Sequence, residues 1–234
     1  IARWNGTNWS ALGFGVDDSV DAIATGSGGV HVGGWFTTAG ETNANHIARW
    51  DGTCWSPLGS GLGDSVNAIA LSGGDGFAGG WFTTAGLIDA NYIARWDGAN
   101  WSAPGGGIGS VVNAIATSGG HVYAGGAFTI AGDTNANNLA QWDGTNWSAL
   151  GDGVNGQVNA LAAGSSGVFA GGWFTTVGET NANNLAQWDG ANWSALGDGV
   201  NGTVNAIAVS GSNVYVGGSF TTAGSMSATN IAKW

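Results

Sequence analysis

The stretch Gly33–Gly40, "GGWFTTAG", decides the fold, because it recurs unchanged at Gly79–Gly86 and three close copies follow, "GGAFTIAG", "GGWFTTVG" and "GGSFTTAG". Aligned outward from this stretch, the whole chain repeats every 46 residues. Full units begin at Ile1, Ile47, Ile93, Leu139 and Leu185, and a partial sixth begins at Ile231. A period of this length is typical of solenoids, propellers and arrays, so the repeated unit is what must fold.

Each unit contains two predicted β-hairpins. In the last full unit, "LAQWDGANWSAL" places two short apolar runs around Asp189-Gly190, and "TVNAIAVSGSNVYVGGSF" turns at residues 211–213. Strict alternation in the second hairpin predicts that Val204 faces one way and Ile207 the other. No unit shows a helical period. Four strands per unit are typical of the blade of a β-propeller.

The side chains predict the order of the four strands. The small apolar run "VNAIA" is expected innermost, "VYVGGSF" second, "IARW" third and "NWSAL" outermost. The Gly pair of the second strand is expected to leave room for a large aromatic side chain from a neighbouring strand. Pro57 and Pro104 both fall in the fourth run, and proline belongs on an edge strand because it cannot donate to the ladder.

The predicted fold is therefore an all-β, five-bladed propeller of four-stranded antiparallel blades, forming one domain over residues 1–234. The complete blades are expected at Ser19–Leu58, Ser65–Pro104, Val111–Leu150 and Gln157–Leu196. The fifth would join the first three strands of the last unit to the N-terminal "NWSAL", which removes exposed sheet edges. Ile231–Trp234 would supply its third strand, and Ile1–Trp4 would be displaced or pair with another molecule.

Residues Asn192–Gly218, "NWSALGDGVNGTVNAIAVSGSNVYVGG", carry a family resemblance. A strand that ends in Gly-Gly, an aromatic residue in the third strand and a tryptophan in the fourth resemble kelch-type β-propellers. The unit is also similar to the propeller repeats of large secreted or surface bacterial proteins, and the resemblance covers the whole chain. It implies a propeller fold with a scaffold, adhesin or lectin-like role.

Composition excludes several classes of function. The net charge is −11, with four Lys plus Arg against fifteen Asp plus Glu, so the basic stripe of a nucleic-acid-binding protein is missing. An anionic membrane surface is disfavoured for the same reason, and no stretch reaches the roughly 18 apolar residues of a membrane span. Few lysines, many acidic residues and much Gly, Thr, Asn and Trp favour an extracellular or cell-surface protein.

Catalytic and cofactor chemistry is not indicated. The three histidines, His31, His46 and His121, occupy different positions of the repeat and so make no repeated ligand set. The copper ligands of kelch-like oxidases are Tyr, His and Cys, and Cys54 forms no such cluster with the tyrosines. No Ser-His-Asp or paired-carboxylate pattern stands out. We expect a protein that is not an enzyme and has no cofactor.

Two repeat positions are candidates for ligand binding. The first follows the Gly pair and holds Trp35, Trp81 and Trp173, with Ala127 and Ser219 in the other units. These tryptophans are interpreted either as a sugar platform or as packing between blades. The second lies in the variable loop after "FTTAG", and variable loops on a rigid scaffold often bind ligands. It holds His46, Tyr92, Asn138, Asn184 and Asn230.

The loops between the fourth strand and the next first strand are acidic. Four of their aspartates could offer oxygen ligands to calcium, although the spacing of a calcium loop is missing. The alternative is that they only form turns. They are Asp18, Asp64, Asp152 and Asp198.

Taken together, these features favour a multivalent extracellular binding or adhesion module, lectin-like, whose ligand is a glycan or a surface protein. Near-identical loops on five blades could add weak sites by avidity. The alternative is a structural subunit of an extracellular filament or surface array that self-associates through its terminal strands.

Overall fold

The computed structural model describes residues 1–26 and 28–234, and nearly every regular element in them is a β-strand. The described residues contain no α-helix and one 3-10 turn, Pro104–Gly106. No helix in these ranges is long and apolar enough to cross a membrane. The all-β prediction is confirmed.

The strands follow the repeat. The N-terminal hairpin has β1 (Ala2–Trp4) and β2 (Trp9–Ala11). Next come β3 (Val20–Gly26), β4 (Gly29–Gly34), β5 (Thr38–Ala39), β6 (Thr42–Asn43), β7 (Ile47–Trp50) and β8 (Trp55–Pro57). The following repeat has β9 (Val66–Ser72), β10 (Asp75–Gly80), β11 (Thr84–Ala85), β12 (Ile88–Asp89), β13 (Ile93–Trp96) and β14 (Trp101–Ser102).

The second half of the chain continues this order. It begins with β15 (Val112–Ser118), β16 (His121–Gly126), β17 (Ile130–Ala131), β18 (Thr134–Asn135), β19 (Leu139–Trp142) and β20 (Trp147–Ala149). Then come β21 (Gln157–Gly164), β22 (Gly167–Trp173), β23 (Thr176–Val177), β24 (Thr180–Asn181), β25 (Leu185–Trp188) and β26 (Trp193–Ala195). The last strands are β27 (Thr203–Ser210), β28 (Asn213–Ser219), β29 (Thr222–Ala223), β30 (Met226–Ser227) and β31 (Ile231–Lys233).

Four sheets are four-stranded, antiparallel and built in the predicted strand order. They are sheet 1 (β3-β4-β7-β8), sheet 2 (β9-β10-β13-β14), sheet 3 (β15-β16-β19-β20) and sheet 4 (β21-β22-β25-β26). Each lies within the range predicted for a blade. After the second strand, "FTTAG" begins a separate short hairpin such as β5–β6, in which Ala39 pairs with Thr42. Pro57 lies on the outer strand as predicted, whereas Pro104 lies just beyond β14 in the 3-10 turn.

The last repeat forms sheet 5, which has three strands in the order β27-β28-β31. Its third strand is Ile231–Lys233, as predicted. The prediction that "NWSAL" is its fourth strand is wrong, because β2 pairs with β1 in a sheet of their own. The Asn5 side chain accepts backbone hydrogen bonds from Thr7 and Asn8 at 2.9 and 2.8 Å, and it closes this local hairpin. The blade count of five stays a prediction.

Contacts group the chain into two compact units, Ile1–Gly107 and Ile108–Trp234. The first contains the N-terminal hairpin and sheets 1 and 2. The second contains sheets 3, 4 and 5. A single-domain organisation over residues 1–234 stays a prediction.

The two glycines of the pair in sheet 4 are required for different structural reasons. A Cβ on Gly171 would overlap with Val204 and come within 2.9 Å of Ile207, both on the first strand of the next sheet. A Cβ on Gly172 would overlap with the carbonyl oxygen of Gln157 in its own sheet. The prediction of an aromatic neighbour is therefore wrong. The glycine pair instead leaves room for two aliphatic side chains and a backbone carbonyl.

A β-bulge on the first strand explains this packing. The pairing of β27 with β28 shifts register between Val204 and Ala206, so Val204 and Ile207 both reach Gly171. The strict alternation predicted from the sequence, which separated these two side chains, is wrong. The corresponding bulge in other sheets also leaves an asparagine side chain able to bond to the next sheet. Asn159 donates to the carbonyl of Val204 at 3.3 Å and so links sheet 4 to sheet 5.

Tryptophan pairs hold the outer strands of consecutive sheets. Trp188 and Trp193 face each other across β25 and β26 with ring centroids 5.4 Å apart. The Trp193 indole Nε1 donates to the carbonyl of Leu150, at the end of sheet 3, at 2.8 Å. The same bond runs from Trp55 to Leu12 and from Trp101 to Leu58. Each such tryptophan therefore stabilises its own sheet and the contact with the preceding one.

Candidate functional site

One end of each sheet gathers the variable loops of the repeat. Here the short hairpin between the second and third strands meets the loop that enters the first strand. In sheet 4 a backbone bridge joins Val154 of the loop to Val177 of the hairpin. We call this the hairpin end, defined in sheet 4 by residues 152–157 and 173–184.

A polar residue joins the loop to the hairpin by hydrogen bonds. The Asn155 amide oxygen accepts backbone hydrogen bonds from Thr175 and Thr176 at 2.9 and 3.0 Å, and its Nδ2 donates to the Thr175 hydroxyl at 2.9 Å. Asn201 and Asp17 hold the corresponding positions in sheets 5 and 1. These hydrogen bonds were not predicted, although an Asp or Asn at the same repeat position in three units is their signal.

Asp17 makes the hydrogen bonds between loop and hairpin in sheet 1 sensitive to acid. The backbone hydrogen bond from Thr38 has the largest effect on its carboxyl, and desolvation opposes it. With the further hydrogen bonds from Thr37, the net result lowers the pKa of Asp17 to about 2, from a usual 3.8. Because the pKa is lower in the folded state, ionised Asp17 stabilises the fold above about pH 4. That stabilisation is lost as the pH falls through about 2.

We therefore expect Asp17→Asn to make the protein less sensitive to acid. Asparagine accepts the same two backbone hydrogen bonds at Asn155 and Asn201, and there it donates to the threonine hydroxyl, so the variant should melt like the wild type at neutral pH. Between about pH 5 and pH 2 its melting temperature should fall less steeply than that of the wild type. Thermal melts of both proteins across this range check the prediction. Parallel curves would show that Asp17 contributes nothing to acid sensitivity.

The tryptophans that follow the Gly pair are exposed. Trp35, Trp81 and Trp173 are 53%, 54% and 71% exposed. They stand where the second strand ends and the chain turns toward the short hairpin. The interpretation as packing between blades is therefore wrong, and the sugar-platform interpretation stays a prediction.

The second candidate position has a backbone role. His46, Tyr92, Asn138, Asn184 and Asn230 all have φ between 61° and 66°, the left-handed region that asparagine tolerates best among side-chain-bearing residues. The Asn138 and Asn184 side chains donate to the carbonyls of Val154 and Val200 at 2.9 Å each. These amides link consecutive sheets. Asn184 is buried, whereas Asn230 is exposed. The position is not a uniform row of free ligand groups.

The four candidate calcium ligands occupy two different positions. Asp18 and Asp64 share one and accept the backbone N–H of the next residue at 2.6 Å, which supports the turn interpretation. Asp152 and Asp198 lie four residues earlier in the loop of their own repeats and are exposed. Calcium binding by any of the four stays a prediction. Within residues 1–26 and 28–234, no three His, Cys, Asp or Glu side chains come together as a metal site.

A polar cleft of 680 Å³ lies between the hairpin ends of sheets 3 and 4. It brings together two predicted residues, Asn138 and Asp152, with Glu179, which was not predicted. The third predicted residue, Trp173, lies two positions before Thr175, whose backbone and hydroxyl bind Asn155 in the cleft wall. The lining is Thr129, Asn137, Asn138, Asp152, Gly153, Val154, Asn155, Thr176, Gly178 and Glu179.

The cleft offers hydrogen-bonding groups without positive charge. Asp152 and Glu179 are exposed carboxylates, and Thr129 and Thr176 add hydroxyls. The described lining contains no basic residue, so the cleft favours a neutral polar ligand over an anion. Asn137 fixes the loop by donating to the Asp152 carbonyl at 3.1 Å.

The corresponding loops of sheets 1 and 2 carry different groups. Ser60, Gly63 and Leu87 stand where the cleft has Asp152, Asn155 and Glu179. The expectation of near-identical loops on all blades is therefore wrong at these positions. The tryptophan recurs there as Trp81, but without the two carboxylates.

Comparison with known proteins supports the fold type. No protein-family model and no curated protein matches the chain. Among solved structures it is similar to the extracellular domain of a hybrid two-component system, BT4673 of B. thetaiotaomicron, with a TM-score of 0.56 and 12% identity over 85% of this chain. The match covers 25% of that protein. The likeness shows a shared fold, while the kelch-like character stays a prediction.

Two computationally designed proteins, Ika4 and Ika8, match with a TM-score of 0.47 at 16% and 17% identity. The matches cover 68% and 95% of this chain and 88% and 72% of the designed ones.

Proposed function

We propose that the protein is a non-enzymatic extracellular binding module that recognises neutral glycans at its hairpin ends. The observation that carries this proposal is the polar cleft between sheets 3 and 4, together with the exposed Trp173 on the same hairpin end. Sugar rings present hydroxyls at their rim and C–H groups on one face. Carboxylates and amides bind the hydroxyls, and an indole packs against the apolar face.

The extracellular location rests on two observations. The chain is acidic and poor in lysine, and the structurally similar BT4673 domain is described as extracellular. A surface glycan, or a glycan carried by a surface protein, is the ligand class that such a location supplies.

Multivalency follows from the repetition of the exposed tryptophan. Trp35 and Trp81 lie in sheets 1 and 2 at the position of Trp173 in sheet 4. Weak sites on one chain add by effective concentration. Because the cleft of sheets 3 and 4 holds the carboxylates Asp152 and Glu179, it is the strongest site in this proposal.

A glycan array followed by calorimetric titration tests the proposal. We expect Trp173→Ala to weaken binding of the best neutral glycan about tenfold, which corresponds to about 1.4 kcal/mol. Alanine occupies the same position at Ala127, so the fold should tolerate it. Glu179→Leu, which copies Leu87, should also weaken binding.

Glu41→Leu is the matched control, because Glu41 holds the same repeat position in sheet 1, where Phe14 stands at the position of Asp152. It should leave the affinity unchanged. A folded protein that binds no glycan on the array would overturn the proposal. The protein would then be better described as a structural subunit of an extracellular filament or array.

A further inference from the structure

The polar cleft between sheets 3 and 4, called the first cleft from here on, is fixed by two asparagines of sheet 3. Asn137 donates to the carbonyl of Asp152 at 3.1 Å, and Asn138 donates to that of Val154 at 2.9 Å. These bonds hold the loop whose Asp152 side chain lines the cleft. The first cleft therefore lies between the hairpin end of one sheet and the loop that enters the next.

Sheet 4 holds the loop of sheet 5 by the same bonds. Asn183 donates to the carbonyl of Asp198 at 3.0 Å, and Asn184 donates to that of Val200 at 2.9 Å. Sheets 3, 4 and 5 belong to one compact unit. The contact between hairpin ends thus occurs twice in succession within this unit.

The loop of sheet 5 is also joined to its own hairpin as in sheet 4. The Asn201 amide oxygen accepts the backbone N–H groups of Thr221 and Thr222 at 2.8 and 2.9 Å, and its Nδ2 donates to the Thr221 hydroxyl at 2.9 Å. Asn155 makes the same three bonds in sheet 4. The walls of the first cleft therefore recur between sheets 4 and 5, and we call the space between them the second cleft.

The two clefts carry different numbers of carboxylates. An exposed aspartate stands in both, as Asp152 in the first and Asp198 in the second. Glu179 adds a second carboxylate to the first cleft, whereas Ser225 holds its repeat position in the second. The first cleft therefore offers more acceptors for sugar hydroxyls.

By its place in the repeat, Trp173 belongs to the second cleft. On sheet 3, Thr129 lines the first cleft and Ala127 lies two residues before it. The equivalent residues on sheet 4 are Thr175 and Trp173, and Trp173 is 71% exposed. The second cleft therefore combines one carboxylate with an indole that can pack against the apolar face of a sugar.

The hairpin of sheet 4 lies between the two clefts and is polar at its tip, where Glu179 and Thr180 are exposed. Packed sheets lie about 10 Å apart, so equivalent groups such as Asp152 and Asp198 are separated by at least about that distance. A single sugar ring is shorter than this span, whereas an oligosaccharide reaches across it.

We propose that the ligand of the hairpin ends is a linear neutral oligosaccharide that lies across the hairpin of sheet 4 and occupies both clefts at once. This inference rests on the proposed glycan binding and adds the length and orientation of the ligand. One sugar binds Asp152 and Glu179, and a later sugar packs on Trp173 beside Asp198. Because the two clefts differ, the oligosaccharide binds in one orientation.

A length series measures the span of the site. The probes are the monosaccharide to hexasaccharide members of four neutral linear series, glucan, galactan, mannan and xylan, each titrated by calorimetry. Filling the second cleft becomes an intramolecular step once the first is occupied. We expect the affinity to rise at least about tenfold from the shortest member that binds to the length that fills both clefts, and to level off beyond it.

Two substitutions separate the clefts. Asp198→Ser copies Ser60, which holds this repeat position in sheet 2. It should weaken binding of the hexasaccharide about tenfold and that of the shortest binding member less than about twofold, because short sugars occupy the first cleft. Glu179→Leu should weaken binding at every length. Circular dichroism checks that both variants are folded.

Phe14→Ser is the matched control for Asp198→Ser. Phe14 holds the same repeat position, is exposed, and lies in the other compact unit. The same serine placed there should leave the affinity unchanged for every member of the series.

Three results would overturn the inference while glycan binding stands. The first is equal affinity for all members of a series that binds. The second is a glycan found on the array when no member of the four series binds. The third is an affinity that rises with length in Asp198→Ser as steeply as in the wild type. A folded protein that binds no glycan at all would instead overturn the proposed function, and this inference with it.

Discussion

Replacing Phe174 with alanine is expected to lower the free energy of unfolding by about 3–5 kcal/mol, the usual cost of removing a buried aromatic side chain. Phe174 is fully enclosed in a cluster with Leu150 and Val177. Its backbone N–H also binds the buried Asn184 side chain at 3.2 Å. The cavity left by the ring would open at the contact between sheets 3 and 4, so the surrounding strands cannot collapse into it without losing that contact.

Trp173→Ala is the matched control, because the neighbouring residue is larger yet exposed. It should change stability by no more than about 0.5 kcal/mol. Urea denaturation followed by circular dichroism measures both variants. Equal losses of stability would mean that Trp173 is buried in solution. Phe174 and Trp173 would then not differ as a core residue and a surface residue.

Gly172→Ala is expected to cost about 3 kcal/mol or more, because the new methyl group meets a main-chain atom that cannot rotate away. The atom is the carbonyl oxygen of Gln157 at the bulge of β21. Relief requires the bulge to open, and the bulge sets which side chains face the neighbouring sheet.

Gly217→Ala provides the comparison in the same sequence motif. A Cβ at Gly217 would have its nearest neighbour at 3.9 Å, an ordinary contact. We expect its melting temperature to stay within a few degrees of the wild type, whereas that of Gly172→Ala should fall sharply or the protein should not fold. A strongly destabilised Gly217→Ala would show that this glycine is covered in solution.

The repeat carries much of the fold in its sequence. Period, hairpin turns and proline positions predicted the strands and their order in sheets 1 to 4, because each depends on local chemistry. The bulge at Val204–Ala206 defeated the alternation rule, since a single unpaired residue reverses every later side chain. Pairing of β1 with β2 also escaped prediction, because two segments suited the same role and the local hairpin closes a much shorter loop.

The candidate site was less accessible to sequence reasoning. Asn138 and Asp152 were each identified, yet nothing in a linear pattern places them around one cleft with Glu179. The left-handed backbone at His46 and Tyr92 was not predicted, because their residue types do not indicate it. Only Asn138 and the other asparagines at this repeat position indicated it. Repeat position shows which residues are equivalent, whereas exposure depends on how neighbouring sheets pack.

The hydrogen bonds between consecutive sheets also bear on how the chain folds. Trp55 to Leu12, Trp193 to Leu150 and Asn159 to Val204 join residues 43 to 45 positions apart. Closing loops of equal length costs nearly equal entropy, so chain connectivity favours no sheet as the starting point. Whichever sheet forms the most stable hairpins can act as the nucleus, and growth then proceeds to its neighbours one repeat at a time. The folding rate should therefore depend on the local stability of a single repeat more than on the length of the chain.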